Sequence, residues 1–341
     1  MKQKIITTMV GTMLVLGALL LVVSAILPAK GYEVELLDVK IPSTNGKPNG
    51  GLQPAQTTPL GILKIKADQV WSKTTGSGIN VAVIDTGIQA DHPDLQANIK
   101  GGVNFVPTAR SWNDDNGHGT HVAGTIAALN NAIGVVGAAP NVNLYAVKVL
   151  DRTGRGLWSY VVNGINWAVS THSDADSSND INVITMSLGG SSAPVELENA
   201  VNNAYNAGIV IVAAAGNEGD GNIQTTEISY PAAYSNVIAV GAIDSNENAP
   251  YWSNTGSYVD FVAPGVSIYS TYKRSTYATM SGTSMATPHV TATVALLLSV
   301  YPNLGPSGVY TKLKQTAKDL GSNGFDNQYG WGLIDALAAS T

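Results

Sequence analysis

Short apolar runs recur along the chain from residue 80 onward. Each is rich in β-branched or small residues, and the runs are Asn80–Ile84, Val142–Leu150, Ile181–Leu188, Ile209–Ala215 and Val237–Ile243. They do not alternate with polar residues as half-buried strands do. Strands that are apolar on both faces belong in a parallel sheet covered on both sides. The pattern therefore predicts a buried, mostly parallel sheet.

Amphipathic stretches lie between and after these runs. Leu157–Ser170 and Val195–Ala207 have helical spacing, and the second ends at Gly208. Near the end of the chain, Met285–Tyr301 places its apolar residues on one helical face. Strands alternating with helices predict a three-layer α/β/α domain with a mostly parallel central sheet and right-handed crossovers. In such sheets, functional groups gather at the carboxyl edge.

The N-terminal part has a different pattern. Lys2 and Lys4 precede an almost unbroken apolar run, Ile5–Leu27. A cationic start followed by an apolar core is typical of an export signal. The run is also long enough to span a ~30 Å bilayer at about 1.5 Å per residue. We predict that residues 1–27 are a signal peptide or a retained membrane anchor, and either places the rest of the chain outside the cytoplasm.

Residues 28–54 are predicted to be a short pro-segment or linker. Their second half, residues 43–54, is rich in Asn, Gly and Pro and has no periodicity. Residues 31–39 can form one strand, but one strand cannot bury a core of its own. Residues 55–341 contain all the predicted sheet strands and form one large domain.

Composition excludes several classes of function. Apolar residues make up 44% and charged residues 12% of the 341-residue chain, which argues against intrinsic disorder. The net charge is −6 and Lys and Arg are not clustered, so nucleic acid is not an expected partner. The absence of cysteine excludes disulfides, thiolate metal sites and a thiol nucleophile.

Three short motifs carry candidate chemistry. Asp85 follows an apolar strand, His118 lies in a Gly-rich turn that enters a helix, and Ser284 opens the long apolar helix near the C-terminus. A serine hydroxyl is a weak nucleophile until a base removes its proton, and the base needs an orienting carboxylate. Each residue alone has an ordinary structural explanation, but together they match a nucleophile, base and carboxylate.

Other readings of these motifs fit less well. Asp-Thr-Gly at Asp85 also occurs in aspartic proteases, but these need two such carboxylates and the chain has one motif. His121, three residues after His118, does not have the His-x-x-x-His spacing of zinc proteases, and we interpret it as a packing residue. The stretch around Ser284 lacks the Gly-x-Ser-x-Gly elbow of α/β-hydrolases because Ala286 replaces the last glycine.

The three motifs resemble the signature blocks of the subtilases, the subtilisin family. The blocks read VAVIDTG, NGHGTHVAG and GTSMATPHV, in the order Asp, His, Ser. The resemblance extends from about Gln56 to the C-terminus, so residues 55–341 are expected to be a subtilisin-like catalytic domain. It implies a serine endopeptidase in which Asp85 orients His118 and His118 activates Ser284. It also implies that Asn217 donates to the oxyanion together with the backbone N–H of Ser284.

The resemblance implies a substrate cleft with two edges. The residues carried over are Ser187, Leu188, Gly189, Ala214 and Gly216 in the walls of the pocket, and Gly156 and Trp158 on the opposite edge. Free backbone at these glycines can pair with an extended peptide. The walls contain no acidic group, so we expect apolar or aromatic residues before the scissile bond. The alternative for Trp158 is a core residue.

A structural calcium ion is also implied. The family's side-chain ligands match Gln56, Asp94 and Asn131, and its backbone carbonyls match Leu129, Ile133 and Val135. Calcium takes six to eight oxygen ligands, and a loop can supply several at once. A weaker cation site is implied near Ala232, Tyr234, Val237 and Asp260.

Polypeptides are therefore the expected substrates of a monomer that contacts a membrane only through its N-terminal segment. One alternative is a catalytically silent relative that binds peptides, and another is an esterase or lipase. Subtilases usually carry a folded prodomain that blocks the active site, and residues 28–54 are too short for one. We expect no independently folding inhibitory prodomain.

Overall fold

The computed structural model describes residues 33–36, 43–45 and 53–341. Its strands are β1 (Glu33–Leu36), β2 (Ser43–Asn45), β3 (Asn80–Asp85), β4 (Ile99–Asn104), β5 (Asn143–Lys148), β6 (Arg155–Leu157), β7 (Val183–Met186), β8 (Leu188–Gly189), β9 (Val210–Ala214), β10 (Ile238–Ile243), β11 (Phe261–Pro264), β12 (Ile268–Tyr272) and β13 (Thr276–Met280). Its helices are α1 (Leu60–Lys64), α2 (His118–Ala127), α3 (Trp158–Thr171), α4 (Val195–Asn206), α5 (Thr283–Val300), α6 (Pro306–Thr316) and α7 (Ala336–Ala339).

Seven strands form a central parallel sheet in the order β11-β10-β9-β7-β3-β5-β4. All its pairings are parallel. Successive side chains of a strand point to opposite faces. Val81 and Val83 of β3 accordingly lie in one buried cluster, and Ala82 and Ile84 lie in another. Both faces of the sheet are covered, which confirms the predicted parallel sheet.

Helices form the two outer layers. Val122 of α2 and Val290 of α5 lie in the same buried cluster as Val81, whereas Ile165 of α3 and Val201 of α4 lie in the other. The three-layer α/β/α architecture is therefore confirmed. Among the described residues, one helix, α5, is long and apolar enough to cross a membrane, but 89% of it is buried as the core helix of this domain.

Two small antiparallel sheets flank the central one. Their orders are β6-β1-β8 and β12-β13-β2. The short strands β1 and β2 come from the segment predicted to be a pro-segment or linker, and each pairs with strands of the predicted catalytic domain, residues 55–341. The predicted signal or anchor, residues 1–27, lies outside the described residues.

The order of the strands identifies the edge of the sheet at which a functional site is expected. The chain passes from β3 to β4 and β5 on one side and continues with β7, β9 and β10 on the other. This reversal is the switch point at which open parallel sheets bind ligands, outside the carboxyl ends of the strands. Asp85 ends β3, and Ser187 directly follows β7 beside it.

Candidate active site

A buried aspartate and histidine meet at the carboxyl end of β3. His118 Nδ1 lies 2.8 Å from Asp85 Oδ1 and 2.9 Å from Oδ2. Both residues are fully buried. A carboxylate at Nδ1 holds the imidazole in one orientation, fixes its tautomer and stabilises its protonated form. The geometry is that of a base with its orienting carboxylate.

Two glycines allow the start of α2 to lie close to the end of β3. Gly117 precedes α2 with a φ of 116°, in the left-handed region that favours glycine. Gly119, on the first turn of α2, lies so close to β3 that a Cβ there would be 2.1 Å from the carbonyl oxygen of Gly87 and 3.0 Å from Asp85 Oδ1. The helix can therefore bring His118 against Asp85 only because this position has no side chain.

Ser284 lies on the first turn of α5 and contacts the neighbouring strand end. Its Oγ donates to the carbonyl oxygen of Ser187 at 3.0 Å. Pro288 has no amide hydrogen, so it cannot donate to the Ser284 carbonyl four residues earlier. The Ser187 hydroxyl donates to that carbonyl instead, at 2.8 Å. This reciprocal pair holds the serine at the carboxyl edge of β7, beside the strand that carries Asp85.

Asn217 is fixed at the start of the same helix. Its Oδ1 accepts hydrogen bonds from the backbone N–H of Thr283 at 2.9 Å and from the Thr283 hydroxyl at 3.0 Å. The side-chain donor of an asparagine is Nδ2, at the other arm of the amide. Anchoring Oδ1 thus sets the orientation of a donor next to Ser284.

Two backbone edges form a cleft, and β1 lies between them. Gly156 on β6 is opposite Val34 on one side, and Leu188 and Gly189 of β8 pair with β1 on the other. Trp158 is buried in the same cluster as Val34 and Leu188, and its Nε1 donates to the Ser192 hydroxyl at 2.9 Å. The structure thus brings the two predicted cleft edges to either side of one extended segment, and it buries Trp158 in that cluster.

The walls predicted for the pocket end at a tight turn. Ala214 ends β9, and Gly216 has a φ of 114°. Asn254, which the sequence did not single out, supports this turn, because its Nδ2 donates to the Ala215 carbonyl at 3.0 Å and its Oδ1 accepts from the Glu218 N–H at 2.7 Å. It therefore holds the residues on both sides of Asn217.

Comparison with known proteins agrees with this geometry. A family model described as the subtilase family matches residues 76–332. The chain belongs to the subtilase family. It is 51% identical over 288 residues to Subtilisin DY of Bacillus licheniformis, covering 84% of this chain and 100% of that protein.

Two further relatives agree. Subtilisin E of Bacillus subtilis (strain 168) is 49% identical over 288 residues, covering 84% of this chain and 72% of that protein. Alkaline protease of Alkalihalobacillus alcalophilus is 50% identical over 287 residues, covering 84% of this chain and 70% of that protein. This subtilase is therefore a serine endopeptidase, a hydrolase of peptide bonds.

A second buried carboxylate organises the turn before His118 in this subtilase. Asp114 accepts hydrogen bonds from the Thr86 hydroxyl at 2.9 Å, from the Thr120 hydroxyl at 2.6 Å and from the backbone N–H of Gly117 at 2.9 Å. Burial raises the pKa of Asp114, and the hydrogen bonds from Thr120 and Gly117 act in the opposite direction. Sequence reasoning missed this residue, although Asp114 lies four positions before His118.

Lys148 is the other support that the sequence did not reveal. It is fully buried at the end of β5. Its Nζ donates to the carbonyl oxygens of Thr86 at 2.6 Å and Leu150 at 2.9 Å and to Asp115 Oδ1 at 2.7 Å. A charged residue inside an otherwise apolar run was the available signal. The lysine ties the residue after Asp85 to the neighbouring strand.

The residues predicted to hold calcium lie together around Asp94. Gln56 Nε2 donates to the carbonyl oxygen of Leu129 at 3.1 Å, and Asn131 Nδ2 donates to Asp94 Oδ1 at 2.8 Å. The backbone N–H of Val135 donates to Asp94 Oδ2 at 3.0 Å. Burial raises the pKa of Asp94 to about 6. No salt bridge between described residues involves Asp94.

The remaining candidates are His121 and the weaker cation site. His121 is buried, and its Nε2 lies 3.0 Å from the carbonyl oxygen of Ile268, as a packing residue would. Among the described residues, no group of three or more His, Cys, Asp or Glu side chains is placed to hold a metal ion. At the weaker cation site, Asp260 accepts from the Ala239 N–H at 2.9 Å and from the Tyr310 hydroxyl at 2.9 Å. That cation site stays a prediction.

Proposed function

We propose that this endopeptidase works through Asp85, His118 and Ser284 by way of an acyl-enzyme. The contact between His118 Nδ1 and both carboxylate oxygens of Asp85 carries the proposal, because this pair is buried at the end of β3 and Ser284 is hydrogen-bonded at the end of the adjacent strand β7. A buried carboxylate beside Nδ1 directs the other ring nitrogen, Nε2, to act as the base.

The steps follow from these groups. His118 takes the proton of the Ser284 hydroxyl as the oxygen attacks the peptide carbonyl, and the imidazolium is stabilised by Asp85. Asn217 Nδ2 and the backbone N–H of Ser284 stabilise the oxyanion of the tetrahedral intermediate. The imidazolium then donates its proton to the leaving amine. A water molecule then gives a proton to His118 and attacks the acyl-enzyme, and the imidazolium returns this proton to Ser284 as the carboxylic acid product leaves.

Substrates are proposed to bind as an added strand between β6 and β8. Both edges present backbone groups to an extended segment, as the pairing of β1 demonstrates. The pocket walls at Ser187–Gly189 and Ala214–Gly216 contain no charged side chain. Apolar or aromatic residues are accordingly proposed before the scissile bond.

A structural calcium ion is proposed at Gln56, Asp94, Leu129, Asn131, Ile133 and Val135. The donor set fits, because Asp94 is a buried carboxylate and its hydrogen bonds from the described residues all come from neutral donors. Its surroundings supply carbonyl and amide oxygens, which hard cations prefer. A bound cation would neutralise the buried charge and tie residue 56 to the loop.

We also propose that the enzyme is exported and acts as a monomer outside the cytoplasm. The cationic start and the apolar run Ile5–Leu27 support this, as a signal peptide or an anchor. Fractionation of expressing cells should find the catalytic domain in the medium or on the outer side of the membrane.

The catalytic assignment is tested by Ser284→Ala. The variant should lose casein hydrolysis and labelling by a fluorophosphonate probe, because it lacks the nucleophile. A turnover loss on the order of 10⁶ is expected, the magnitude known for subtilisin. Ser281→Ala, three residues earlier, is the matched control and should retain both signals. Substantial hydrolysis by the purified Ser284→Ala protein would contradict the assignment.

A further inference from the structure

The β6 edge of the cleft carries a positive charge beside one position of an extended peptide. Arg155 of β6 lies directly opposite Glu35 of β1, and Gly189 of β8 lies opposite Glu35 on the other side. Glycine has no side chain, so of these two flanking residues only Arg155 can distinguish one peptide side chain from another. Its Nε lies 3.8 Å from Glu35 Oε2. The edge therefore presents a cation to the side chain at this position.

The alternation of side chains along β1 separates this contact from the apolar ones. Val34 is fully buried in the cluster that contains Trp158, whereas Glu35 is exposed. Directly opposite residues of an antiparallel pair lie on the same face of the sheet, where opposite charges are favourable and like charges are unfavourable. The side chains of Arg155 and Glu35 are 67% and 65% exposed. A charge at this position is thus read in solvent, without the cost of burying it.

The charges around Arg155 do not cancel this effect. Asp151 precedes β6, and its Oδ1 is held by the turn, because it accepts from the backbone N–H groups of Thr153 at 2.8 Å and Arg155 at 3.2 Å and from the Thr153 hydroxyl at 2.6 Å. The pocket walls contain no charged side chain. The whole chain has a net charge of −6, so attraction of an acidic peptide must come from the local charge of this edge.

The register of β1 relates this position to the scissile bond. Glu35 lies opposite Gly189, and Leu36 lies opposite Leu188. A substrate that continues this register places its next residue opposite Ser187. The Ser187 carbonyl accepts a hydrogen bond from Ser284 Oγ at 3.0 Å, so that residue lies beside the nucleophile. The position that faces Arg155 is therefore two residues before the residue whose carbonyl is attacked.

We propose that Arg155 is a specificity-determining residue that favours peptides with an acidic side chain two residues before the acylated residue. The inference rests on the proposed catalytic function and deepens its substrate preference. An exposed ion pair is weak, so the expected gain in kcat/KM is about two- to fivefold for Glu over the neutral Gln. The ratio of Glu to Lys is larger, because Lys at this position is repelled.

Three peptides test the preference, acetyl-Val-X-Leu-Phe-p-nitroanilide with Glu, Gln or Lys at X. Phe before the scissile bond follows the proposed apolar or aromatic preference. The full chain is used, and ratios of kcat/KM are compared within one protein, so any occupancy of the cleft by β1 affects the three peptides equally. The parent should rank them Glu, Gln, Lys. Salt at about 1 M, where the screening length is about 3 Å, should weaken this preference.

Variants assign the preference to one side chain. Arg155→Gln should bring the three values of kcat/KM close to each other, because the charge is removed. Arg155→Lys keeps the charge and should retain the order of the peptides. Arg110→Gln makes the same change at an exposed arginine outside β6 and should behave like the parent. Circular dichroism confirms that each variant is folded.

Equal kcat/KM for the three peptides in the parent would overturn the proposal, as would an unchanged preference in the Arg155→Gln protein. Failure of the parent to hydrolyse any of the three would also overturn it, since the cleft would then not accept this register. Failure of the catalytic assignment is distinguishable, because hydrolysis would then survive Ser284→Ala whichever residue stands at X.

Discussion

Buried polar residues set the chemistry at the scale of single side chains. Asp85 is hydrogen-bonded to His118, Asp114 accepts from the turn before it, and Lys148 donates to the backbone after β3. An unsatisfied buried polar group is costly, so each of these contacts is strongly specified. We therefore expect proteolysis to depend on residues that never touch the substrate, such as Asp114 and Lys148.

The role of Asn217 predicts a split between turnover and binding. In the proposed mechanism, Asn217→Leu removes a donor to an oxyanion that forms mainly in the transition state. Turnover should fall about 10²–10³-fold, the magnitude known for the corresponding asparagine of subtilisin, with KM nearly unchanged. Steady-state kinetics on a chromogenic peptide measure both values. A rise in KM comparable to the fall in kcat would contradict the role.

His289 predicts a pH dependence of stability. Burial lowers its pKa to about 4, and its Nδ1 lies 2.9 Å from the Met285 carbonyl. The unfolded chain, with a histidine pKa near 6.5, binds the proton more readily, so stability is full above pH 6.5 and falls toward pH 4. The loss from this group should reach roughly 3 kcal/mol at pH 4.

Denaturant unfolding of the Ser284→Ala protein between pH 7 and pH 4 measures this loss. Adding His289→Asn should reduce the loss of unfolding free energy between pH 7 and pH 4, because asparagine does not titrate. An identical slope in the His289→Asn protein would exclude the assignment.

At the scale of elements, the site depends on how closely α2 approaches the end of β3. Gly119→Ala places a methyl group 2.1 Å from the Gly87 carbonyl, so the helix or the strand end must shift. Because His118 begins this helix, we expect kcat to fall by about tenfold or more, as displacements near 1 Å can cost about 10²-fold.

The control for this change is Gly305→Ala, where an added Cβ meets nothing within 4 Å and φ is −77°. It should leave activity within about twofold, because surface substitutions away from such contacts change stability by about 0.5 kcal/mol or less. Active-site titration separates lower turnover from a smaller folded fraction. Full activity in the Gly119→Ala protein would show that activity does not depend on the close approach of α2 to the end of β3.

At the scale of the whole molecule, the proposed calcium ion ties the start of the domain to the loop after α2. Backbone bonds already join these segments, from Gln56 N–H to the Ala132 carbonyl at 3.1 Å and from Thr57 N–H to the Gly134 carbonyl at 2.9 Å. Ligand binding to the native state stabilises it by mass action, about 2.7 kcal/mol at 100 times Kd. Chelation should therefore shorten the lifetime of the enzyme at high temperature while leaving its initial turnover nearly unchanged.

Half-lives with calcium and with chelator provide the measurement. Asp94→Ala should remove most of the difference between them, whereas Asp91→Ala, at an exposed neighbouring aspartate, should preserve it. A wild-type half-life that is insensitive to chelator would rule out the site.

The local sequence pattern was sufficient to predict much of the fold and the class of reaction. The apolar runs predicted most strands of the central sheet, and the motifs around Asp85, His118 and Ser284 predicted the reaction. Both signals are contained within a few consecutive residues. β4 was missed because it lies at the edge of the sheet, where partial exposure removes the need for a continuous apolar run.

Contacts between distant segments decided the rest. The sequence allowed residues 31–39 one strand, but only folding places Glu33–Leu36 between β6 and β8. Asp114, Lys148 and Asn254 gained their roles in the same way, through partners on other elements. A buried polar group or an edge strand is specified by what it pairs with, and these partners are brought near only when the sheet and helices pack.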